Sequence, residues 1–421
     1  MYEELYRIAE DEIPELGGYI LDTQLSNLAI PKSSISEENI PEITRAITEA
    51  AMMFGEKKAR KIRRRIMKEV LSRGEMIKAQ KDEISRMNTL REMGESALLT
   101  GEFKEALKDF EEARKIAIKN GFKNEIALID VKIAKVLARM KERDAALNIL
   151  KEAEKISKET HTMHTLAETY YSYGSVYWWY GDYERASKYF SKTLELARKL
   201  EDDRLLGYAY MGLANSYSEM GDINMDIEYS EKAILHFKRA GLEHELAKMY
   251  INIGVPYEER GDFQKAESYY LKGLEKARET GYLLMEAWAL SNLSGLYNKP
   301  KDAETAEAYA RSALEIFQML GDRLGESIVQ LNLGKIYRLM GKLDKAKEEF
   351  EKAIKIKEKV DTDFGIADAY QSYGKFLKDI DDERWGEYLK KAIEIYRKIG
   401  NSKRESECTE ILGRHNGSQS S

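Results

Sequence analysis

Asn252, Asn292 and Asn332 stand 40 residues apart along the chain. A carboxamide offers two donors and an acceptor, so it can pair with the N–H and C=O of an extended backbone together. Three in register could hold a peptide without reading its side chains; the bland alternative is a polar face wetted by solvent or bonded to a neighbouring helix. A second chemistry lies in the run 57–68, KKARKIRRRIMK. Ala59, Ile62, Ile66 and Val70 form its apolar stripe, and Arg60, Lys61, Arg63, Arg64 and Lys68 spread over the rest of the helix. These cations are expected exposed, as a solvated face or as a contact for phosphate groups. No aromatic residue interleaves with them to stack on bases. Catalytic signals are missing: there is no phosphate loop and no HExxH, and the five histidines are scattered. His161 and His164 are three apart but have no third ligand in view. No enzyme activity, cofactor or metal is expected.

Composition narrows the setting. The chain has 421 residues, 43% of them hydrophobic, enough for a large core, and its net charge of −6 is too weak to mark a nucleic-acid-binding protein as a whole. The single cysteine, Cys408, excludes an intrachain disulfide and reads as a buried thiol in a reducing cytoplasm. No apolar run approaches the roughly 18 residues needed to cross a bilayer. The opening MYEELYRIAEDEI is acidic and amphipathic rather than a signal peptide. Abundant Lys, Glu, Ile and Tyr with little Gln suggest a thermophile.

The elements that must position the asparagines follow from a 40-residue period. Gly94, Ala134, Gly174, Ala214, Gly254, Ser294, Gly334 and Gly374 are all small and all 40 apart. Seven residues after each comes a turn, at Gly101, Lys141, Gly181, Gly221, Gly261, Lys301, Gly341 and Asp381. An acidic residue often follows and can cap the next helix. Each unit therefore reads as two helices, and small residues at Ala106, Ala146, Ala186, Ala266, Ala306 and Ala346 let them approach closely. Phe110, Ile149, Phe190, Tyr229, Tyr269, Tyr309 and Phe350 follow as packing partners. The last unit has lost one residue near 381–384, so Gly400 arrives early. Pro256 falls inside a first helix, where it removes one N–H and could kink the chain. Residues 1–80 lie outside the period, with helices expected near 2–12, 14–29, 41–54 and 56–80.

The pattern Tyr170-Tyr173-Gly174-Tyr177, then Gly181-Asp182, Ala186 and Phe190, resembles the tetratricopeptide repeat family, as does Tyr250-Ile253-Gly254-Tyr257 with Gly261-Asp262, Ala266 and Tyr270. The family's usual unit has 34 residues and a closing proline. The 40-residue unit here is similar to the branch found in kinesin light chains, spindle adaptors and bacterial peptide-sensing regulators. The resemblance implies an all-α, right-handed α-solenoid of eight helix-turn-helix repeats at 81–400. An N-terminal helical domain at 1–80 precedes it; a capping helix at 401–413 and a disordered tail at 414–421 follow.

The resemblance also implies that the first helix of each unit lines a groove. Carried over by position, the partner-binding set is polar at Ser175, Asn215, Asn252, Asn292 and Asn332, basic at Lys248 and Lys335, and aromatic at Tyr171, Trp178, Trp179, Tyr208 and Trp288. Trp178 and Trp179 are adjacent and cannot both be core. Lys132, Lys135 and Arg139 at one end, and Lys335, Arg338, Lys375 and Lys378 at the other, could favour an acidic ligand. The set that grips chaperone tails fails at all three of its basic positions, where the register places Met211, Trp288 and Asn292. Two functions follow as expectations. The first is a scaffold that binds an extended peptide or a partner helix, with a protein or peptide as partner and no membrane. The alternative is a ligand-responsive regulator whose basic N-terminal domain contacts nucleic acid or an effector protein.

Overall fold

A computed structural model of the chain describes residues 1–14, 16–36, 39–66, 83–297, 299, 302–360 and 362–418. Among them, 21 α-helices and a short 3-10 turn at Lys32–Ser34 form two compact units, Met1–Leu283 and Leu284–Ser421. The fold is all-α and built from consecutive helix pairs. In the first unit, α1 (Tyr2–Glu12), α2 (Gly17–Asn27), α3 (Ile40–Met52) and α4 (Glu56–Arg65) precede five pairs. These are α5/α6 (Glu83–Leu99, Phe103–Lys119), α7/α8 (Lys123–Arg139, Arg143–Glu159), α9/α10 (Met163–Trp179, Tyr183–Leu200), α11/α12 (Asp203–Glu219, Ile223–Arg239) and α13/α14 (Glu243–Glu259, Phe263–Glu279). The second unit holds α15/α16 (Leu283–Leu296, Ala303–Leu320), α17/α18 (Arg323–Leu339, Leu343–Val360), α19/α20 (Asp363–Asp379, Trp385–Lys398) and α21 (Ser402–Ser418). Helix α21 continues past residue 413, where the sequence reading ended it. The outer part of the expected 56–80 helix, beyond Ile66, and the turn at Lys301 lie outside the described residues.

The small column sets the closeness of each pair, and its partner is matched in size. A Cβ on Gly94 would come 2.8 Å from the Phe110 ring, one on Gly174 would come 2.6 Å from Phe190, and one on Gly254 would come 2.2 Å from Tyr270. Where the column carries Ala134, Ala214 or Ser294, the residue 16 positions on is the smaller Leu150, Ser230 or Ala310, and all three are buried. The packing column is thus 110, 150, 190, 230, 270, 310 and 350. Ile149, Tyr229, Tyr269 and Tyr309, assigned to it from sequence, sit one residue off and only half-buried. Gly374 meets Leu389 rather than residue 390, as the lost residue requires.

The turns follow their chemistry. Gly101, Gly181, Gly221, Gly261 and Gly341 take positive φ, and Lys141 and Asp381 adopt the same left-handed conformation without glycine's freedom. Asp182, Asp222 and Asp262 each accept a backbone N–H three residues on. Glu102 does not cap α6. Helix α13 runs on through the buried Pro256. Cys408 is buried beside Tyr396 and Leu389, where burial pushes its thiol up to about 11.

Candidate functional site

In the first unit, the first helices of repeats two to five build one wall. Tyr171 of α9 lies 5.4 Å from the Phe190 ring and 5.8 Å from Tyr208 of α11. Tyr208 packs edge-on against Phe237 at 5.2 Å and donates its hydroxyl to Glu245 Oε1 of α13 at 3.0 Å. Burial pushes the Tyr171 phenol up to about 12, with the Glu245 charge acting in the same direction. Glu245 also acts on Lys135 of α7, three repeats earlier. Lys135 is open to solvent at its surface, yet surrounding protein desolvates it and holds its ammonium below the usual lysine range. Lys132 is neutralised by Glu95 at 2.8 Å.

Beside this aromatic wall stand Asn215 on α11 and Lys248 and Asn252 on α13. All three are half-buried, and among the described residues their side chains make no hydrogen bond or ion pair. Lys248 and Asn252 are one helical turn apart and share a face. Ser175 is committed to its own helix, donating to the Tyr171 carbonyl at 3.0 Å. Trp178 is half-buried with its indole N–H enclosed and unpaired, while Trp179 is 56% exposed. Arg139 lies 5.2 Å from the Trp179 ring.

In the second unit, Trp288 packs edge-on against Phe317 at 5.1 Å. Asn292 is half-buried with no side-chain hydrogen bond among the described residues. Asn332 differs, since its Nδ2 donates to Ser294 Oγ at 3.4 Å. Lys335 is half-buried and unpaired, and desolvation holds it below the usual lysine range. Arg338 pairs with Asp379, and Lys378 donates to the Ile411 carbonyl at 3.2 Å.

The basic run follows its reading only in part, since Lys61 and Arg64 are exposed as expected. Arg63, expected on the surface, is 2% exposed. It bonds Glu102, and Glu105 at 2.8 Å. Arg64 bonds Glu102 as well, and Arg60 donates to the Thr100 carbonyl. Lys61 pairs with Glu12 at 3.3 Å and Arg65 with Asp11 at 3.0 Å. The run fastens α4 to the first repeat's turn and to α1, because Glu102 and Glu105 supply the charge that a buried guanidinium requires. Glu102, itself nearly buried, is thereby diverted from capping α6. Lys68 lies outside the described residues.

Models of the tetratricopeptide repeat match residues 165–225 and 285–359, and a second model of the same repeat matches 247–279. These segments are tetratricopeptide repeats. No curated protein matches the chain in sequence. Solved structures share the fold. The apo quorum sensor NprR from B. thuringiensis is 18% identical with a TM-score of 0.59, over 80% of this chain and 95% of that one. Aspartyl phosphate phosphatase F from Bacillus subtilis is 17% identical with a TM-score of 0.55, over 86% and 94%. A Rap protein complexed with Competence and Sporulation Factor is 15% identical with a TM-score of 0.52, over 79% and 98%. At these identities the likeness is one of fold alone. Among the described residues, no tetratricopeptide helix is long and apolar enough to cross a membrane, and no group of three or more His, Cys, Asp or Glu could hold a metal.

Two features of these repeats escaped the sequence reading. Glu245 sits nine residues before Gly254, in a column that elsewhere carries Glu125, Thr165, Leu205 and Met285, so no recurrence marks it. The other did have a signal. Tyr177, Tyr217 and Tyr257 recur at 40 residues, and so do Tyr189, Tyr229 and Tyr269, with Lys192, Lys232 and Lys272 three further on. The paired rings stack at 5.5, 5.5 and 5.4 Å. Each lysine ammonium lies over the second ring, at 4.4, 5.3 and 5.1 Å.

Proposed function

We propose that the chain is a protein-interaction scaffold, not an enzyme, whose first-unit wall binds an extended peptide segment of a partner. The observation that carries this reading is the trio Asn215, Lys248 and Asn252. They are half-buried polar groups left unpaired by the chain, beside an aromatic wall formed by Tyr171 and Tyr208. Half-buried donors and acceptors without partners are costly, and a peptide backbone supplies both kinds. Large aromatic rings lose little freedom when they pack on a ligand, which suits them as anchors. Neighbouring packed helices lie roughly 10 Å apart. An extended peptide rises about 3.3 Å per residue, so each repeat would meet about every third residue. The complex of a Rap protein with Competence and Sporulation Factor supports such a use of the fold. The basic run gives a nucleic-acid reading no support, since Arg60, Arg63 and Arg64 are already engaged.

The test is a phage-displayed random-peptide library panned against the full chain, with selected peptides measured on variants. Asn252→Ala should weaken binding by about 1–3 kcal/mol, roughly 5- to 150-fold, because a ligand amide is left unpaired. Unfolding in urea should be unchanged. Lost stability with unchanged peptide affinity would assign Asn252 to helix packing and end this reading.

A further inference from the structure

The second unit gathers positive charge on α17, α19 and α21. Lys335 and Lys375 occupy the same register position on successive first helices, each one residue beyond its small-column glycine. Both are half-buried, and neither makes a hydrogen bond or ion pair among the described residues. Unpaired and half-buried, they differ from Lys355 and Lys359 of α18, which are unpaired among the described residues but exposed. Lys342, Lys347, Lys352, Lys391 and Lys398 all reach a carboxylate. Helix α21 brings Arg404 to the same place: its Nη1 lies 3.4 Å from Gln371 Oε1, and Tyr396 donates to that same oxygen at 3.0 Å. Gln371 is buried, so it fixes the guanidinium from behind. Two acids belong to the cluster. Glu407 lies 3.5 Å from Arg404 and takes a bond from Gln371 Nε2, and Asp368 comes close enough to Lys335 to act on it without pairing. Lys357, buried on α18, also acts on Lys335 but has a partner of its own. Lys335, Lys375 and Arg404 thus face two carboxylates, and the two lysines have no partner among the described residues.

We propose that Lys335, Lys375 and Arg404 form a receptor for the side-chain carboxylates of an acidic peptide. An unpaired, half-buried ammonium is costly, and two side by side repel each other. An anion that enters between them removes both costs and gains charge-assisted hydrogen bonds. Desolvation, with the neighbouring Arg404, Lys357 and Lys375, depresses the Lys335 ammonium, as expected of a cation that lacks its counter-ion. The helix that follows the last repeat therefore contributes to recognition as well as covering an apolar end. This inference rests on the reading of the tetratricopeptide faces as peptide-binding, and it adds which peptide the second unit prefers.

The probe is a fluorescein-labelled, C-amidated hexaglutamate, with hexaglutamine as the neutral control, measured by anisotropy on the full chain at moderate salt. Hexaglutamate should bind and hexaglutamine should not. Lys335→Met with Lys375→Met should weaken hexaglutamate by about tenfold or more. Lys355→Met with Lys359→Met removes the same charge from exposed positions of α18 and should change little. Equal loss in both pairs would reduce the effect to overall charge and overturn the proposal, as would no preference for hexaglutamate. Displacement of the probe by an equimolar amount of inorganic phosphate would also overturn it, in favour of a free-oxyanion site. Lys335→Met alone, without peptide, should leave the thermal midpoint level or raised; a clear fall would make the lysine structural. The Asn252→Ala measurement bears on the first unit only, so failure there and failure here are read separately.

Discussion

The same residue types do opposite things on two faces of repeats three to five. Between the helices of each repeat, Tyr177, Tyr217 and Tyr257 stack on Tyr189, Tyr229 and Tyr269, and Lys192, Lys232 and Lys272 close over the rings. Every group there finds its partner within the chain. On the wall made by the first helices, Asn215, Lys248 and Asn252 find none. The ladder repeats because every pair must be held at the same spacing. The wall's groups are left unpaired because folding asks no pairing of them. A column whose groups are satisfied marks what holds the stack; a column whose groups are unsatisfied marks what the stack offers to others.

The largest effect should come from the contact that both faces depend on. Gly174→Trp forces an indole into a space where even a Cβ would lie 2.6 Å from Phe190. Overpacking so close a crossing should cost about 3 kcal/mol or more, and wall and ladder should fail together. Urea unfolding with peptide binding measures both, and a variant as stable as the parent would refute the register. Tyr229→Leu should be milder. It keeps an apolar body but loses two stacked neighbours, Tyr217 and Tyr210, and the cation above. About 1–2 kcal/mol of stability should go, with peptide affinity kept. A loss of affinity at unchanged stability would place the ladder among the binding groups and dissolve the contrast.

How much of this could be read beforehand depends on how far apart the partners lie. The helix pairs were legible because Gly94 to Gly374 recur in step, and a small residue at a crossing is a local demand repeated eight times. The first helix, expected at 2–12, is Tyr2–Glu12. The packing column was half-legible. Phe110, Phe190 and Phe350 stand out as aromatics, but Ser230 and Ala310 fill the same place with nothing to show, and half-buried tyrosines one position earlier drew the eye instead. Arg63 was misread because exposure was inferred from its own helix. Glu102 and Glu105, which bury it, lie some 40 residues on and share no period with it. The asparagines were legible as a column, but their states were not. Asn332 is bonded to Ser294, a residue that also serves as the small residue of the preceding repeat. Only packing distinguishes it from Asn252.

The smallest effect is the sharpest test, because one substitution can be made on both faces. Lys232→Met removes the ammonium over the Tyr229 ring and its ion pair with Glu228. Contacts of this kind on an open surface contribute about 0.5 kcal/mol, so a small loss of stability is expected. Lys248→Met removes an ammonium that has no partner, and stability should hold or rise slightly. The loss at Lys232 should also depend on pH. Glu228 holds the Lys232 ammonium above the usual lysine range when folded. A raised folded value means that the folded state keeps its proton longer than the unfolded chain. The contribution is therefore fully present below the unfolded value and is lost as pH rises through the folded one. The gap between parent and Lys232→Met should accordingly be constant near neutrality and close in strongly alkaline buffer. Paired urea titrations across that range decide it. Equal losses at both lysines would mean that Lys248 has a partner in the folded chain, and the wall would then be as self-satisfied as the ladder.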